Sequence, residues 1–322
     1  MSRSPLQPFL AERGFIVLDG GLATALESRG HALDSPLWSA ELVIRVPEEV
    51  SAVHTEYLEA GADCIATVSY QASFEGFRSL GMSVAESEDL LELSVELALD
   101  ARDEFWSDPA NRRGRIRPLV AASLGPYGAY LADGSEYDGR YGIGADELDA
   151  FHRRRFEVFA GSGADLVACE TIPSSLEAEV LLGILDDLHD TWAWLSFSCR
   201  DGRHVSDGTP FADVVRACDG HDRIAAIGVN CTAPSHVAEL IRGASSLTGT
   251  PLVAYPNSGE LYDAESKTWF GSGSGGAWLA GVDDWAEAGA VGLGGCCRVG
   301  ADTIRALRTW VVERSAEPRD SS

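Results

Sequence analysis

The residues best equipped to do chemistry are three cysteines. Cys296 and Cys297 are adjacent and follow two glycines, and Cys231 lies far upstream. Zinc binds thiolates at about 2.3 Å, most often with four ligands. The paired Cys-x-x-Cys spacing of a closed structural site is absent here. Three ligands would instead leave one coordination position open, as in catalytic zinc sites. A divalent ion with three thiolates carries a net negative charge, which makes it a poor generator of hydroxide. It still lowers the pKa of a fourth sulfur while leaving that sulfur electron-rich. Thiol alkylation therefore fits such a site better than hydrolysis does. Spacing alone leaves the alternatives open, because a vicinal pair also forms redox disulfides and a cysteine is often just a small buried apolar residue. That last reading suits Cys64, Cys169, Cys199 and Cys218. None of the seven histidines recurs with metal-ligand spacing, and most read as loop or polar-helix-face residues.

The elements that must position these sulfurs are legible as a repeat. Short apolar runs occur at Phe15–Leu18, Cys64–Val68, Leu119–Ala122, Leu166–Cys169, Trp192–Phe197, Ala225–Val229, Leu252–Tyr255 and Val291–Leu293. They are continuous rather than alternating, as expected of strands covered on both faces. Amphipathic stretches lie between them, at 47–58, 85–105, 145–161, 174–188, 210–218, 235–244 and 301–312. Three junctions repeat one pattern, Glu-Ala-Gly-Ala-Asp at 59–63, Gly-Ser-Gly-Ala-Asp at 161–165 and Glu-Ala-Gly-Ala-Val at 287–291, in which glycine stops a helix and a strand follows. Eight strand–helix units predict a (β/α)8 TIM barrel, which needs roughly 250 residues plus insertions. The extra length falls at 31–46, 127–144 and 258–276, and no linker divides the chain. Residues 1–322 therefore read as a single α/β domain with a core from about 13 to 314. In such barrels chemistry lies at the C-terminal strand ends. Asp19-Gly20-Gly21, Thr67–Tyr70, Ser123–Pro126, Glu170–Pro173, Asn230-Cys231, Pro256-Asn257 and Gly294–Cys297 all fall there.

Bulk composition narrows the partners. The 322-residue chain is 45% hydrophobic and carries a net charge of −25. That field repels phosphate backbones and anionic lipid, so nucleic acid and membrane surfaces are poor partners. No apolar run approaches the roughly 20 residues of a membrane span. The N-terminus lacks a signal-peptide core, and seven widely spaced cysteines do not form a disulfide framework. The expectation is a cytoplasmic protein with reduced thiols; the sequence leaves the oligomeric state open.

The chain resembles the homocysteine S-methyltransferase family, particularly members that use S-methylmethionine or S-adenosylmethionine. The matching stretches are Leu18-Asp-Gly-Gly-Leu-Ala-Thr24, Thr67-Val-Ser-Tyr-Gln-Ala-Ser73, Ser123-Leu-Gly-Pro-Tyr-Gly128, Glu170-Thr-Ile-Pro173, Ser206-Asp-Gly-Thr-Pro210, Gly228-Val-Asn-Cys-Thr232, Tyr255-Pro-Asn-Ser-Gly-Glu260 and Gly294-Gly-Cys-Cys297. The resemblance implies Zn2+ at Cys231, Cys296 and Cys297, activating the thiol of homocysteine for methylation to methionine. It implies that Asp19 and Glu170 hold the amino group of homocysteine, with the backbone near Gly20 and Gly21 approaching its carboxylate. Without it, Asp19 reads as a turn residue and Glu170 as a neighbour of a helix cap. Asn230 either orients Cys231, contacts substrate or caps its loop. Tyr70, Tyr127 and Tyr130 are candidates for a cation–π wall against a sulfonium donor. Betaine as donor, or selenocysteine as acceptor, is compatible with the same site. From other classes, a zinc hydrolase calls for His/Asp ligands that the sequence does not offer, and a non-catalytic thiol-binding module leaves the strand-end motifs without a purpose.

Overall fold

The computed structural model describes residues 3–31, 42–263, 268–270 and 275–316. Eight parallel strands form the central sheet: β1 (Ile16–Val17), β2 (Cys64–Ala66), β3 (Leu119–Leu124), β4 (Leu166–Ile172), β5 (Ala193–Phe197), β6 (Ile224–Asn230), β7 (Leu252–Tyr255) and, after a small hairpin of β8 (Leu261–Asp263) and β9 (Thr268–Phe270), β10 (Ala290–Leu293). Their order is β1-β10-β7-β6-β5-β4-β3-β2. A single parallel bridge, Leu18 to Cys64, closes the ring between β1 and β2. This is the expected (β/α)8 barrel.

Side chains show why the strand runs are unbroken in sequence. Along β3, Leu119 and Ala121 join the cluster inside the barrel, whereas Val120 and Ala122 join the layer beneath the helices. Leu166, Val167, Ala168 and Cys169 of β4 alternate in the same way. The period of two is present, but both faces are apolar because both are covered. Leu6 and Phe9, at the helix Gln7–Arg13, fill the inner cluster as well.

The repeated junction does more than stop helices. Gly61, Gly163 and Gly289 have φ of 112°, 87° and 117°, a left-handed region that favours glycine. In the first two junctions the aspartate two residues later reaches the preceding strand. Asp63 Oδ2 accepts from Val17 N at 3.1 Å and Asp165 Oδ2 from Val120 N at 2.8 Å.

Several expectations need correction. Residues 32–41, 264–267 and 271–274 of the expected insertions lie outside the described residues. Leu42–Arg45 is a helix rather than loop. The insertion at 127–144 begins with the helix Tyr127–Leu131 and a turn of 3-10 helix, Ser135–Tyr137. His54 and His152 are fully buried, not on polar faces. His152 is held between Glu177 and Arg155, two partners that periodicity cannot reveal. Among the described residues, no helix is long and apolar enough to cross a membrane.

Candidate active site

The sulfurs meet because β6 and β10 end side by side on either side of β7. Cys231 follows Asn230 directly and adopts φ 45°. After β10, Gly294 and Gly295 press so closely on Leu18 and Val299 that a Cβ on either would collide. Cys296 N then donates to Pro256 O at 2.9 Å, turning the pair toward Cys231. Cys231 and Cys296 are joined as a disulfide with Cα atoms 5.5 Å apart. Cys297 Sγ lies 3.5 Å from Cys231 Sγ and 4.0 Å from Cys296 Sγ. Cys64, Cys169, Cys199 and Cys218 are buried and free as expected, whereas the sulfurs of Cys231 and Cys296 are in direct contact.

The donor set fits a metal. The three sulfur atoms lie within 4.8 Å of one another, and no histidine or carboxylate joins this group among the described residues. Sulfurs each about 2.3 Å from one ion stand at most about 4.6 Å apart, so reduction of the disulfide and a small separation suffice.

Asp19 follows β1 and Glu170 lies within β4, and both line the cavity that holds the sulfurs. Asp19 Oδ2 accepts from Ala66 N at 2.7 Å. Burial raises the Asp19 carboxyl well above the usual range against that bond, and Glu170 raises it further. Burial likewise raises Glu170, opposed by hydrogen bonds from Ser123 and Tyr255. Among the described residues, no arginine, lysine or histidine lines this cavity. Paired acids without a cation are an electrostatic arrangement that an incoming ammonium would complete. Gly20 and Gly21 form part of the wall, where a Cβ on Gly21 would stand 2.7 Å from Cys296 O. The Gly21 N–H is engaged by Val299 O at 2.9 Å.

Asn230 is fully buried. Its Oδ1 accepts from Thr171 N at 2.7 Å and Ser196 Oγ at 2.9 Å, and its Nδ2 donates to Thr171 Oγ1 at 2.7 Å and toward Cys296 Sγ at 3.9 Å. Its polar atoms tie β4, β5 and the Cys296 loop together. Thr171 is held at φ 61° by this bonding. The non-glycine residues with positive φ among those described are Ala132, Thr171, Cys231 and Arg298. Three of them adjoin Glu170 or the sulfurs, and the fourth shapes the loop over the mouth. Such strain persists where surrounding structure enforces it, commonly at functional sites.

Tyr70 lines the cavity, but Tyr127 and Tyr130 do not. They pack against Phe151 with ring centroids 5.0 and 5.6 Å apart, because Tyr127 N is pinned by Glu177 Oε1 at 2.6 Å. Trp194 and Tyr255 were not expected in the site: Trp194 Nε1 donates to Tyr255 OH at 3.1 Å. Both lie in apolar strand runs and read as core. Glu136, in the 127–144 insertion, carried no motif signal at all and also lines the cavity.

A barrel whose strand ends assemble three thiols and paired acids around a small cavity defines an enzyme acting on a small sulfur compound. The family model described as homocysteine S-methyltransferase matches residues 16–311. The homocysteine S-methyltransferase YbgG of Bacillus subtilis is 49% identical, covering 95% of this chain and 98% of its own length. The homocysteine S-methyltransferase of Escherichia coli is 45% identical over 95% of this chain and 98% of its own length. Crystal structures of the homocysteine methyltransferase MmuM from Escherichia coli are described as oxidized and metallated forms. Each superposes with a TM-score of 0.86 at 41% identity, covering 96% and 95% of this chain and 100% and 99% of theirs. The chain belongs to the homocysteine S-methyltransferase family.

Proposed function

We propose that this enzyme transfers a methyl group from a sulfonium donor, S-methylmethionine or S-adenosylmethionine, to the thiol of L-homocysteine, giving methionine, with zinc at Cys231, Cys296 and Cys297. The observation that carries the reading is the shared cavity, where three convergent sulfurs stand with the acids Asp19, Glu170 and Glu136 and, among the described residues, no basic side chain. A zinc ion held there supplies the charge that keeps a substrate sulfur deprotonated at neutral pH.

The chain's own residues do the rest. Asp19 and Glu170 receive the ammonium of homocysteine, and Gly20 and Gly21 form the wall beside Asp19. Asn230, with its polar atoms bonded within the protein, fixes the Cys296 loop instead of moving with substrate. The acceptor sulfur attacks the methyl carbon in line. The donor's S–CH3 bond breaks with its electron pair returning to the donor sulfur, a new S–CH3 bond forms, and the thiol proton passes to solvent. The donor is already activated by its positive charge, so alignment and exclusion of water carry the catalysis.

The test is metal analysis of the reduced protein, together with methionine formation from homocysteine and each of S-methylmethionine, S-adenosylmethionine and betaine. One equivalent of zinc and turnover with a sulfonium are expected. Full turnover by metal-free protein, or turnover with betaine alone, overturns the reading.

A further inference from the structure

Glu136 is an acid that neither the fold nor the chemistry above employs. It is 5% exposed, it lines the same cavity as the sulfurs, and its Oε2 has no hydrogen-bond partner among the described residues. Buried polar atoms in folded proteins are nearly always partnered, so an orphaned carboxylate oxygen at a cavity wall calls for a ligand.

The loop that carries Glu136 is closely built. It leaves β3, across the ring from the ends of β6 and β10. Gly128 lets the helix Tyr127–Leu131 lie directly on the Ser135–Tyr137 turn, where any Cβ would collide with Ser135 and Glu136 backbone. Ala132 turns the chain at φ 54°. Ser198 Oγ, beyond β5, donates to Glu136 O at 2.8 Å, and Gly139 sits so close to Pro173 O that a Cβ would stand 2.8 Å away. The loop therefore roofs the mouth at a position fixed from β3, β4 and β5. Burial pushes the Glu136 carboxyl up to about 7, even though backbone N–H groups of Glu136 and Gly134 oppose the rise. A carboxyl at this position has its charge poorly compensated by the protein.

In-line displacement requires the donor sulfur on the far side of the methyl from the acceptor sulfur. The acceptor is committed to Asp19, Glu170 and the three cysteines, and of the other described residues lining the cavity Glu136 is the remaining acid, with Tyr70 on the same wall. We propose that Glu136 is the anionic contact for the cationic sulfonium of the methyl donor, with the Tyr70 ring beside it. This rests on the sulfonium reading of the preceding section. The contact selects for charge, favouring the sulfonium over its neutral thioether product.

Calorimetry on the reduced, metal-loaded full-length protein tests this with S-methylmethionine and with methionine, which lacks the charge. Glu136→Gln is nearly isosteric and is expected to weaken S-methylmethionine binding about ten-fold or more, as loss of one partner of a buried charge pair does. Methionine and homocysteine affinities should stay within about two-fold, and Glu136→Asp should be intermediate for S-methylmethionine. Equal loss for methionine and S-methylmethionine, or no loss for either, overturns the role of Glu136 while leaving the sulfonium reading intact. Wild-type protein that binds neither S-methylmethionine nor S-adenosylmethionine overturns both. If Glu136→Gln melts below the wild type, the ratio of the two affinities in Glu136→Asp decides.

Discussion

At the N-terminal end of the barrel one buried acid, Asp63, is surrounded by cations: Arg308 at 3.1 Å, Arg13 at 3.2 Å and Arg115 at 4.0 Å. At the C-terminal end Asp19, Glu170 and Glu136 line a cavity that holds no cationic side chain among the described residues. The first arrangement is complete within the protein. Desolvation lowers Arg115 to about 10 and also lowers Arg308, and Asp63 opposes both shifts. The second is complete only with something bound. The contrast separates residues that stabilise the fold from residues that await a ligand, although all of them are acids at barrel ends.

The two ends should therefore respond oppositely to mutation. Cys231→Ser is expected to lower kcat/KM by about 10⁴-fold or more, since it removes a ligand on which thiolate activation depends. Metal content and turnover check this, and the melting temperature should change little. Chelation of the reduced protein should match it, and unreduced protein should be inactive until a dithiol opens the Cys231–Cys296 bond. At the opposite end, Asp63→Asn removes the carboxylate from buried Arg13 and half-buried Arg115 and Arg308, and should cost about 3–5 kcal/mol in denaturant unfolding. Activity per folded molecule should be nearly intact. Asp19→Asn and Glu170→Gln should each raise the KM for homocysteine about 100-fold, assayed by initial rates.

Stability should move the other way in those last two variants. Their carboxyls are raised by burial, so the folded state disfavours the charge that the unfolded chain accepts. That contribution is intact below the unfolded pKa near 4 and is lost as pH rises toward neutrality. Asp19→Asn should then melt at a higher temperature than wild type at pH 7.5, with the difference vanishing near pH 4. A lower melting temperature at pH 7.5 would place Asp19 with Asp63 and erase the contrast. The smallest effect belongs to Ala132→Gly, which relieves a left-handed backbone at φ 54° and should add about 1 kcal/mol.

The barrel was legible in the sequence because each strand is buried on both faces and so writes an unbroken apolar run. The acids and sulfurs were legible because a parallel barrel delivers its chemistry to strand ends, where Asp19, Glu170, Cys231 and Cys296 all fall. Short helices such as Leu22–Ser28 and Phe74–Ser79 were not, since two turns carry too little periodicity. His152 misled for a different reason. Its partner Glu177 lies 25 residues away on another helix, and burial of a polar residue depends on such distant pairing. Trp194 and Tyr255 look like core from their runs, and only the inward face of the strand shows them at the cavity. Glu136 was invisible because its position depends on Gly128, Ser198 and Pro173 meeting in space.

The Leu18–Cys64 bridge has a mechanical meaning. The barrel is a hoop fastened at one narrow joint, and an aspartate clasps each edge of that joint. Asp63 hooks Val17 at one edge, and Asp19 hooks Ala66 at the other. The lower clasp is permanently weighted by arginines. The upper one is tightened by whatever cation enters the cavity, so occupancy should register as slower exchange of the Ala66 amide, a tension gauge built into the hoop.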